Sequence, residues 1–193
     1  MDPYFRAFRE VARTINSPKE LNEVLDTITR VVTRVMNAKA SSLMLINEKD
    51  QTLEVVSTCG LSEEFLGKGP LTADNVIQDT LLSGKHYVIP DALTDPRIQY
   101  PEACKKEGIV SICTFPVIAN DQIIGVLRLY TALRRDFTED EVEFVEAIAE
   151  QSGIAIDRAI RYEHLKKKSP MLRLESIDVA GKRRFVLMKH KEE

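Results

Sequence analysis

The stretch from Gly108 to Thr131 most constrains the fold, because it holds two long apolar segments separated by a single polar break. Residues 109–118 and 122–131 are rich in β-branched residues, which favour strands. Ala119-Asn120-Asp121 lies between them, and Asn and Asp tolerate the positive φ of a tight hairpin turn. The sequence therefore predicts a β-hairpin over residues 109–131.

Both faces of this predicted hairpin are apolar. One face is predicted to carry Ile109, Cys113, Phe115 and Val117, and the other Val110, Ile112 and Ile118. A strand that is apolar on both faces is covered on both faces. We therefore expect the hairpin at the centre of a sheet, with helices or loops on each side.

Helices are predicted at both ends of the chain. The first spans residues 2–15, and the second follows Ser17-Pro18-Lys19-Glu20, in which Ser17 is the expected N-cap, and runs to about Met36. Thr138 and Glu141 have the spacing of a capping box before a last helix that reaches about Lys166. The apolar stripe of the first helix is predicted to be Phe5, Phe8, Ala12 and Ile15.

Shorter segments are predicted between these helices. They are strands at 40–46, 53–58 and 86–89, and helical segments at 62–66, 74–82 and 101–107. Strands joined by short turns make an antiparallel sheet. We therefore predict an α+β fold with a profilin-like central antiparallel sheet of five to six strands. The long terminal helices cover one face, and short helices and loops form a pocket on the other.

The charge of the chain is unevenly distributed. Its 193 residues have a formal net charge of −3, but residues 166–193 hold nine Lys or Arg and four acidic residues, a net +5. We predict an N-terminal amphipathic helix over 1–17, one domain over 18–165, and a basic C-terminal tail over 166–193 with a β-hairpin pattern around Ala180-Gly181. A solvated tail, or one docked on the acidic body, is favoured over a nucleic-acid or membrane contact.

Composition points to the cytoplasm. No apolar run approaches the roughly 20 residues that span a bilayer, and the first residues lack the pattern of a signal peptide. The irregular spacing of Cys59, Cys104 and Cys113 predicts neither a disulfide framework nor a zinc site. The scattered histidines have no ligand spacing, so no metal and no cofactor are predicted.

The order of these segments, with particular residues in them, resembles the GAF domain family of small sensory domains over about residues 18–165. The resemblance is carried by LNEVLDTITRVV, SGKHYVIPDALTDPR, GIVSICTFPV, IIGVLRLYT and DFTEDEVEFVEAIAEQSGIAIDRA. It implies a central antiparallel sheet, a ligand pocket on one face, and a dimer formed through the terminal helices.

The sequence departs from the known ligand classes of that family. Cyclic-nucleotide GAF domains have an Asn-Lys pair where this chain has Thr131-Ala132, and bilin-binding ones have a Cys-His pair that is missing here. Free-methionine-sulfoxide reductases of this fold place a reactive cysteine near Cys104, but their partner cysteines in a Gly-rich loop are missing too. Cys113 is then the conceivable resolving thiol.

Six residues are predicted to bind the ligand, and several keep an alternative interpretation. Arg97 is suited to a carboxylate or phosphate, or to an internal pair with Asp95. Arg128, within an apolar strand, faces either the pocket or water, and alternation puts Tyr130 on its side. Cys104 and Cys113 are either a redox pair or buried structural thiols. The six predicted ligand-binding residues are Asp91, Arg97, Cys113, Phe115, Arg128 and Tyr130.

The last helix carries a heptad pattern of apolar and small residues, typical of a helix that packs on another helix. We expect a homodimer through this stripe, which consists of Val142, Val145, Ala149, Ser152, Ile156 and Ala159. The predicted function is a regulatory module that binds an unknown small molecule and signals to a separate partner protein. The alternatives are a Cys104-dependent reductase and a structural dimerisation module without a ligand.

Overall fold

A computed structural model of the chain describes residues 2–17, 20–47, 49–72, 80, 83–167, 172–179 and 182–189. The helix predicted over 74–82 lies almost wholly outside these residues. In chain order the elements are α1 (Pro3–Ile15), α2 (Leu21–Val35), β1 (Ala40–Asn47), β2 (Thr52–Cys59), α3 (Glu63–Leu66), β3 (Leu71–Thr72), β4 (Tyr87–Ile89), α4 (Pro101–Glu107), β5 (Ser111–Ala119), β6 (Gln122–Thr131), α5 (Glu139–Lys167), β7 (Leu172–Val179) and β8 (Lys182–Lys189).

Six strands form one antiparallel sheet in the order β3-β2-β1-β6-β5-β4, which confirms the predicted α+β class. The hairpin of β5 and β6 lies inside this sheet, as its apolar faces predicted. Asn120 and Asp121 turn the chain with φ values of 50° and 60°. Positive φ at both central residues gives the twist that a two-residue hairpin needs.

The long helices α1, α2 and α5 cover one face of the sheet. Leu25, Ile28, Phe115 and Ile148 belong to the core that forms there. In α1 the buried stripe is Ala7, Val11 and Ile15, whereas Phe5 is exposed, so the stripe predicted for this helix was partly wrong.

The second face is covered by α3, α4 and the loops beside them, which we call the canopy (residues 61–72 and 90–108). Phe65 and Cys104 of the canopy pack there against Ile112 and Tyr130 of the sheet. Ile109 belongs to this cluster as well, although the sequence predicted it on the face of Cys113. Apolar clusters therefore flank the sheet on both faces, and a third, smaller one consists of Met44, Leu53 and Val126.

The capping residues predicted from the sequence are correct for the start of α5 and wrong for the start of α2. At α5 the capping box is confirmed: Thr138 N donates to Glu141 Oε2 at 3.0 Å, and Glu141 N donates to Thr138 Oγ1 at 3.3 Å. At α2 the N-cap is Glu20, without a side-chain hydrogen bond. Ser17 instead donates its hydroxyl to Thr14 O at 2.7 Å, so it closes α1 rather than opening α2.

The stripe predicted as a dimer surface on α5 faces the chain's own sheet. Val145, Ala149, Ser152 and Ile156 are at most 1% exposed. They belong to the same core face as Phe144 and Ile148, which leaves them no surface for a second copy. Val142 and Ala159, at the two ends of the stripe, are half-buried. Among the described side chains of this helix, the exposed apolar ones are Ile154, Ile160 and Tyr162.

The tail contains the hairpin that its pattern predicted. Strands β7 and β8 pair as a separate two-stranded sheet, with Leu172 opposite Lys189 and Val179 opposite Lys182. Among the described residues, none of the helices has the length and apolar character required to cross a membrane.

Candidate functional site

A small cavity lies between the canopy and the sheet. Its volume is about 30 Å³, enough for about two water molecules. The side chains of the canopy and of β5 and β6 therefore almost fill it. Its lining residues are Phe65, Lys68, Leu71, Thr72, Arg97, Ile98, Gln99, Tyr100, Cys104, Ile112, Arg128 and Tyr130.

Arg128 is the buried charge of this site. Its register on β6 places it opposite Thr114 of β5 and Ser42 of β1, on the cavity face, with only 4% of its surface exposed. Its Nε donates to Thr114 Oγ1 at 3.2 Å. Within the part of the chain that the structure describes, no carboxylate lies within 4.0 Å of this guanidinium, whereas six other arginine or lysine side chains have such a partner.

Tyr130 forms the back of the cavity, two residues beyond Arg128 on the same face, as alternation predicted. Its hydroxyl and that of Ser42 are 2.9 Å apart and hydrogen-bonded. Burial raises the pKa of Tyr130, while Arg128 and the bond to Ser42 oppose the rise. The ring meets Phe65 edge-on, with centroids 5.9 Å apart. Tyr130 is therefore a neutral, rigid hydrogen-bonding wall.

Lys68 closes the cavity from the canopy side. Its Nζ lies 4.0 Å from the centroid of the Phe65 ring and donates to the Phe65 carbonyl at 3.1 Å. Burial, and next the positive charge of Arg128, lower the pKa of Lys68 from 10.5 to about 8. The buried amine of Lys68 therefore loses its proton more readily than that of an exposed lysine.

Arg97 lines the cavity but is already engaged. Its N and Nε donate to Asp95 Oδ1 at 3.0 and 2.8 Å, and its guanidinium lies 4.7 Å from the centroid of the Tyr87 ring. The hydrogen bonds from Arg97 lower the pKa of Asp95. The internal pair that the sequence left open is thus present, which makes Arg97 a weaker anion ligand than Arg128.

Asp91 lies outside the cavity wall, contrary to its predicted role. Its Oδ1 accepts from Leu93 N at 3.0 Å, and its Oδ2 accepts from Arg134 at 3.2 Å. The backbone hydrogen bond from Leu93 is the largest cause of its lowered pKa. Asp91 thus ties the canopy to the loop before α5.

Cys113 and Phe115 are on the wrong face for this cavity. Because Arg128 pairs with Thr114, the neighbouring side chains of β5 point to the helix-covered core. Burial strongly raises the pKa of the Cys113 thiol. Both residues were predicted ligand contacts, and their position in the helix-side core contradicts that prediction.

Cys104 lies in the cavity wall but is only 3% exposed. Burial raises the pKa of its thiol, and the opposing effects of Lys68 and Arg128 are smaller. A reactive cysteine needs a lowered pKa and access. The described cysteines are free thiols, and this geometry favours the structural interpretation of Cys104.

Lys68 and Phe65 line the cavity, but neither is among the ligand-binding residues predicted from the sequence. The glycines beside Lys68 were the only local signal: Gly69 has φ 111°, and a Cβ there would lie 2.8 Å from Tyr100 Oη. Tyr100 in turn donates to Pro70 O at 3.0 Å. This contact spans thirty residues, so the turn itself could not reveal it.

Metal binding finds no support in the described side chains, where no group of three His, Cys, Asp or Glu converges. His86 pairs instead with Glu146, at 2.9 Å between Nδ1 and Oε1, and stacks on Phe115. The contact joins the start of β4 to α5.

The sheet, its helix-covered face and its roofed cavity define a small sensory-type domain. The sequence model described as "GAF domain" matches residues 18–157. This chain belongs to the GAF domain family.

A characterised protein is similar in sequence to most of this chain. The chain is 21% identical over 169 residues to the formate hydrogenlyase transcriptional activator of Salmonella typhimurium (strain SL1344), with 84% of the chain and 24% of the relative covered. It therefore spans about a quarter of the length of that relative.

Solved structures show the same fold. The GAF domain of the Acinetobacter phosphoenolpyruvate-protein phosphotransferase superposes with TM-score 0.71 at 20% identity, covering 85% of this chain and 99% of that one. Free methionine-R-sulfoxide reductase of Neisseria meningitidis, solved with its substrate, superposes with TM-score 0.69 at 12% identity, covering 82% and 91%. The proteins that this chain resembles thus include a transcriptional activator in sequence and a reductase in fold.

Proposed function

We propose that this chain is a regulatory GAF module that binds a small anion in the canopy cavity, with Arg128 as the anchor. The observation that carries the proposal is a guanidinium 4% exposed in a cavity wall, without a carboxylate partner among the described residues. Leaving a buried charge unpaired is costly, so an anion that pairs with it gains more than one bound at the surface.

The size of the cavity limits which ligands can bind in it. A space of about 30 Å³ holds about two waters, so the ligand has only a few heavy atoms unless the canopy opens. Arginine suits planar, bidentate oxyanions, which makes a short carboxylate the fitting class. Tyr130 and Thr114 supply neutral groups beside the anchor.

A ligand bound in the cavity shifts β6, and this strand in turn contacts the helices. Leu127 and Leu129, the neighbours of Arg128, pack into the helix-side core, so a shift of the strand moves both faces. The turn before β6 is also held to α5, because Asn120 Nδ2 donates to Asp157 Oδ1 at 2.6 Å. A ligand that binds one arrangement of this unit better shifts its population.

The chain acts in the cytoplasm as a homodimer, and it passes its signal to a separate partner protein. The exposed Ile154, Ile160 and Tyr162 of α5 replace the originally predicted stripe as the dimer surface. Apolar side chains on an otherwise polar helix face are typical of such surfaces. The resemblance to a transcriptional activator supports a regulatory role.

The test is a thermal melt with sodium acetate against sodium chloride at constant ionic strength. At a concentration of one hundred times Kd, a specific ligand stabilises the folded state by about 2.7 kcal/mol, which raises the Tm by roughly 5–10 °C for a domain of this size. Arg128→Met keeps the volume, removes the charge and should abolish the rise. Arg158→Met, at an exposed arginine of α5, should retain it.

An equal rise in Arg128→Met would overturn Arg128 as the anchor. No rise in any variant, across formate, acetate and propionate, would favour the structural dimerisation module instead, because side chains nearly fill the cavity. The Cys104 reductase receives no support from the buried thiol, and the likeness to a reductase at 12% identity concerns the fold alone.

A further inference from the structure

Two cations share the canopy cavity without an acid in its described wall. Arg128 is buried, and Lys68 faces it from the canopy; Arg97, the third cation of the lining, is neutralised by Asp95. We propose that Lys68 is a carbamylation site: its Nζ adds carbon dioxide, and the resulting carbamate is held by Arg128. The proposal rests on the anion site proposed above and names a ligand that the protein makes covalently.

The environment of the Lys68 amine favours the neutral form that this reaction needs. Only a neutral amine attacks carbon dioxide, and burial with the charge of Arg128 lowers the pKa of Lys68 to about 8. The lowered pKa gives this amine a larger neutral fraction near neutral pH than an exposed lysine has. The carbamate nitrogen keeps one hydrogen for the bond that Nζ now donates to the Phe65 carbonyl.

The reaction is balanced without a further reactant. The Nζ lone pair forms a C–N bond with the carbon, one C=O electron pair moves to its oxygen, and one proton leaves the nitrogen for solvent. A Lys68 that starts protonated releases one proton to solvent before the attack and a second proton after the C–N bond has formed. Its charge then changes from +1 to −1, and its summed charge with Arg128 falls from +2 to zero. The repulsion between the two cations becomes a buried ion pair.

Size and access agree with the same ligand. Carbon dioxide has three heavy atoms, which matches a cavity of about 30 Å³. Lys68 also lines an open groove on the outside of the canopy, between α3 and α4, whose charged residues are Lys39, Lys106, Glu64, Glu102 and Glu107. Cys104 and Glu107 raise the pKa of Lys68, but burial and Arg128 have the larger, lowering effect. Its amine therefore lies between solvent and the buried guanidinium.

The experiment incubates the full chain with ¹³C-bicarbonate and dissolved carbon dioxide, traps carbamates with triethyloxonium tetrafluoroborate, and maps them by peptide mass spectrometry. We expect trapping at Lys68 about tenfold or more above that at Lys106, whose side chain is 72% exposed and serves as the internal control. Trapping at Lys68 should rise as the pH passes through about 8. Lys68→Arg should remove it and keep the charge, and Arg128→Met should reduce it severalfold.

The possible outcomes distinguish a failure of the carbamate proposal from a failure of the anion site. Lys68 unmodified at pH 8.5, in protein whose melting still responds to acetate, overturns the carbamate and leaves the anion site standing. No trapping and no acetate response overturn both. Trapping at Lys68 that is unchanged in Arg128→Met, folded by circular dichroism, overturns Arg128 as the partner of the carbamate.

Discussion

At Gly153 the helix α5 lies very close to the backbone of β5, and this contact permits a quantitative prediction. A Cβ at this position would lie 1.9 Å from the carbonyl oxygen of Ile118 and 2.8 Å from its carbon. Real contacts of a Cβ exceed 3.0 Å, so Gly153→Ala requires a separation of helix and strand by about 1 Å. The obstructing atoms are backbone and cannot rotate away.

The magnitude follows from two opposing effects. Overpacking of this kind costs about 3 kcal/mol, the upper end of its usual range, because no side chain can yield. Alanine in a helix interior gains about 1 kcal/mol over glycine. The net loss is about 2 kcal/mol, which lowers the Tm by roughly 4–8 °C in a domain of this size.

Thermal and urea unfolding of Gly153→Ala beside Glu150→Ala measure this loss. Glu150 is exposed one turn earlier on α5, and its replacement should change stability by less than about 0.5 kcal/mol. A higher Tm for Gly153→Ala, as expected of an exposed helical glycine, would refute the close docking of α5 on β5.

Two further predictions concern the canopy and the thiols. Phe65→Ala removes a buried ring from the cavity wall, so it should lower the free energy of unfolding by about 3–5 kcal/mol and admit longer carboxylates. The control Phe5→Ala, at a residue that is 53% exposed, should lower it by less than about 1 kcal/mol. Equal losses of stability in urea unfolding would contradict the packing described. Native protein treated with Ellman's reagent should react first at the partly exposed Cys59, because burial raises the pKa of the Cys104 and Cys113 thiols. Faster reaction of Cys104 would revive the reductase hypothesis.

The sequence predicted those parts of the fold whose causes are local. The hairpin turn at Asn120-Asp121 and the capping box at Thr138 each depend on a few adjacent residues, and both are confirmed. The antiparallel α+β class followed from the short turns. Ser17 misled because a hydroxyl between two helices can close the first or open the second, and the two look alike in sequence.

The errors share a physical origin, since periodicity marks an apolar face but not what covers it. The heptad stripe through Val145 and Ala149 is equally suited to another helix or to the chain's own sheet, and the sheet covers it. Alternation showed that Arg128 and Tyr130 share a face. It did not fix the register that sets Arg128 opposite Thr114 and turns Cys113 away.

The alternation of side chains along β6 leaves a single layer of backbone between the canopy cavity and the helix-side core. Arg128 belongs to one compartment and its two leucine neighbours to the other, with no insulating layer between them. The shape of the cavity and the stability of the helix-side core consequently depend on the same few peptide units. A substitution in β6 that alters one of the two compartments therefore alters the other as well, because the same strand lines both.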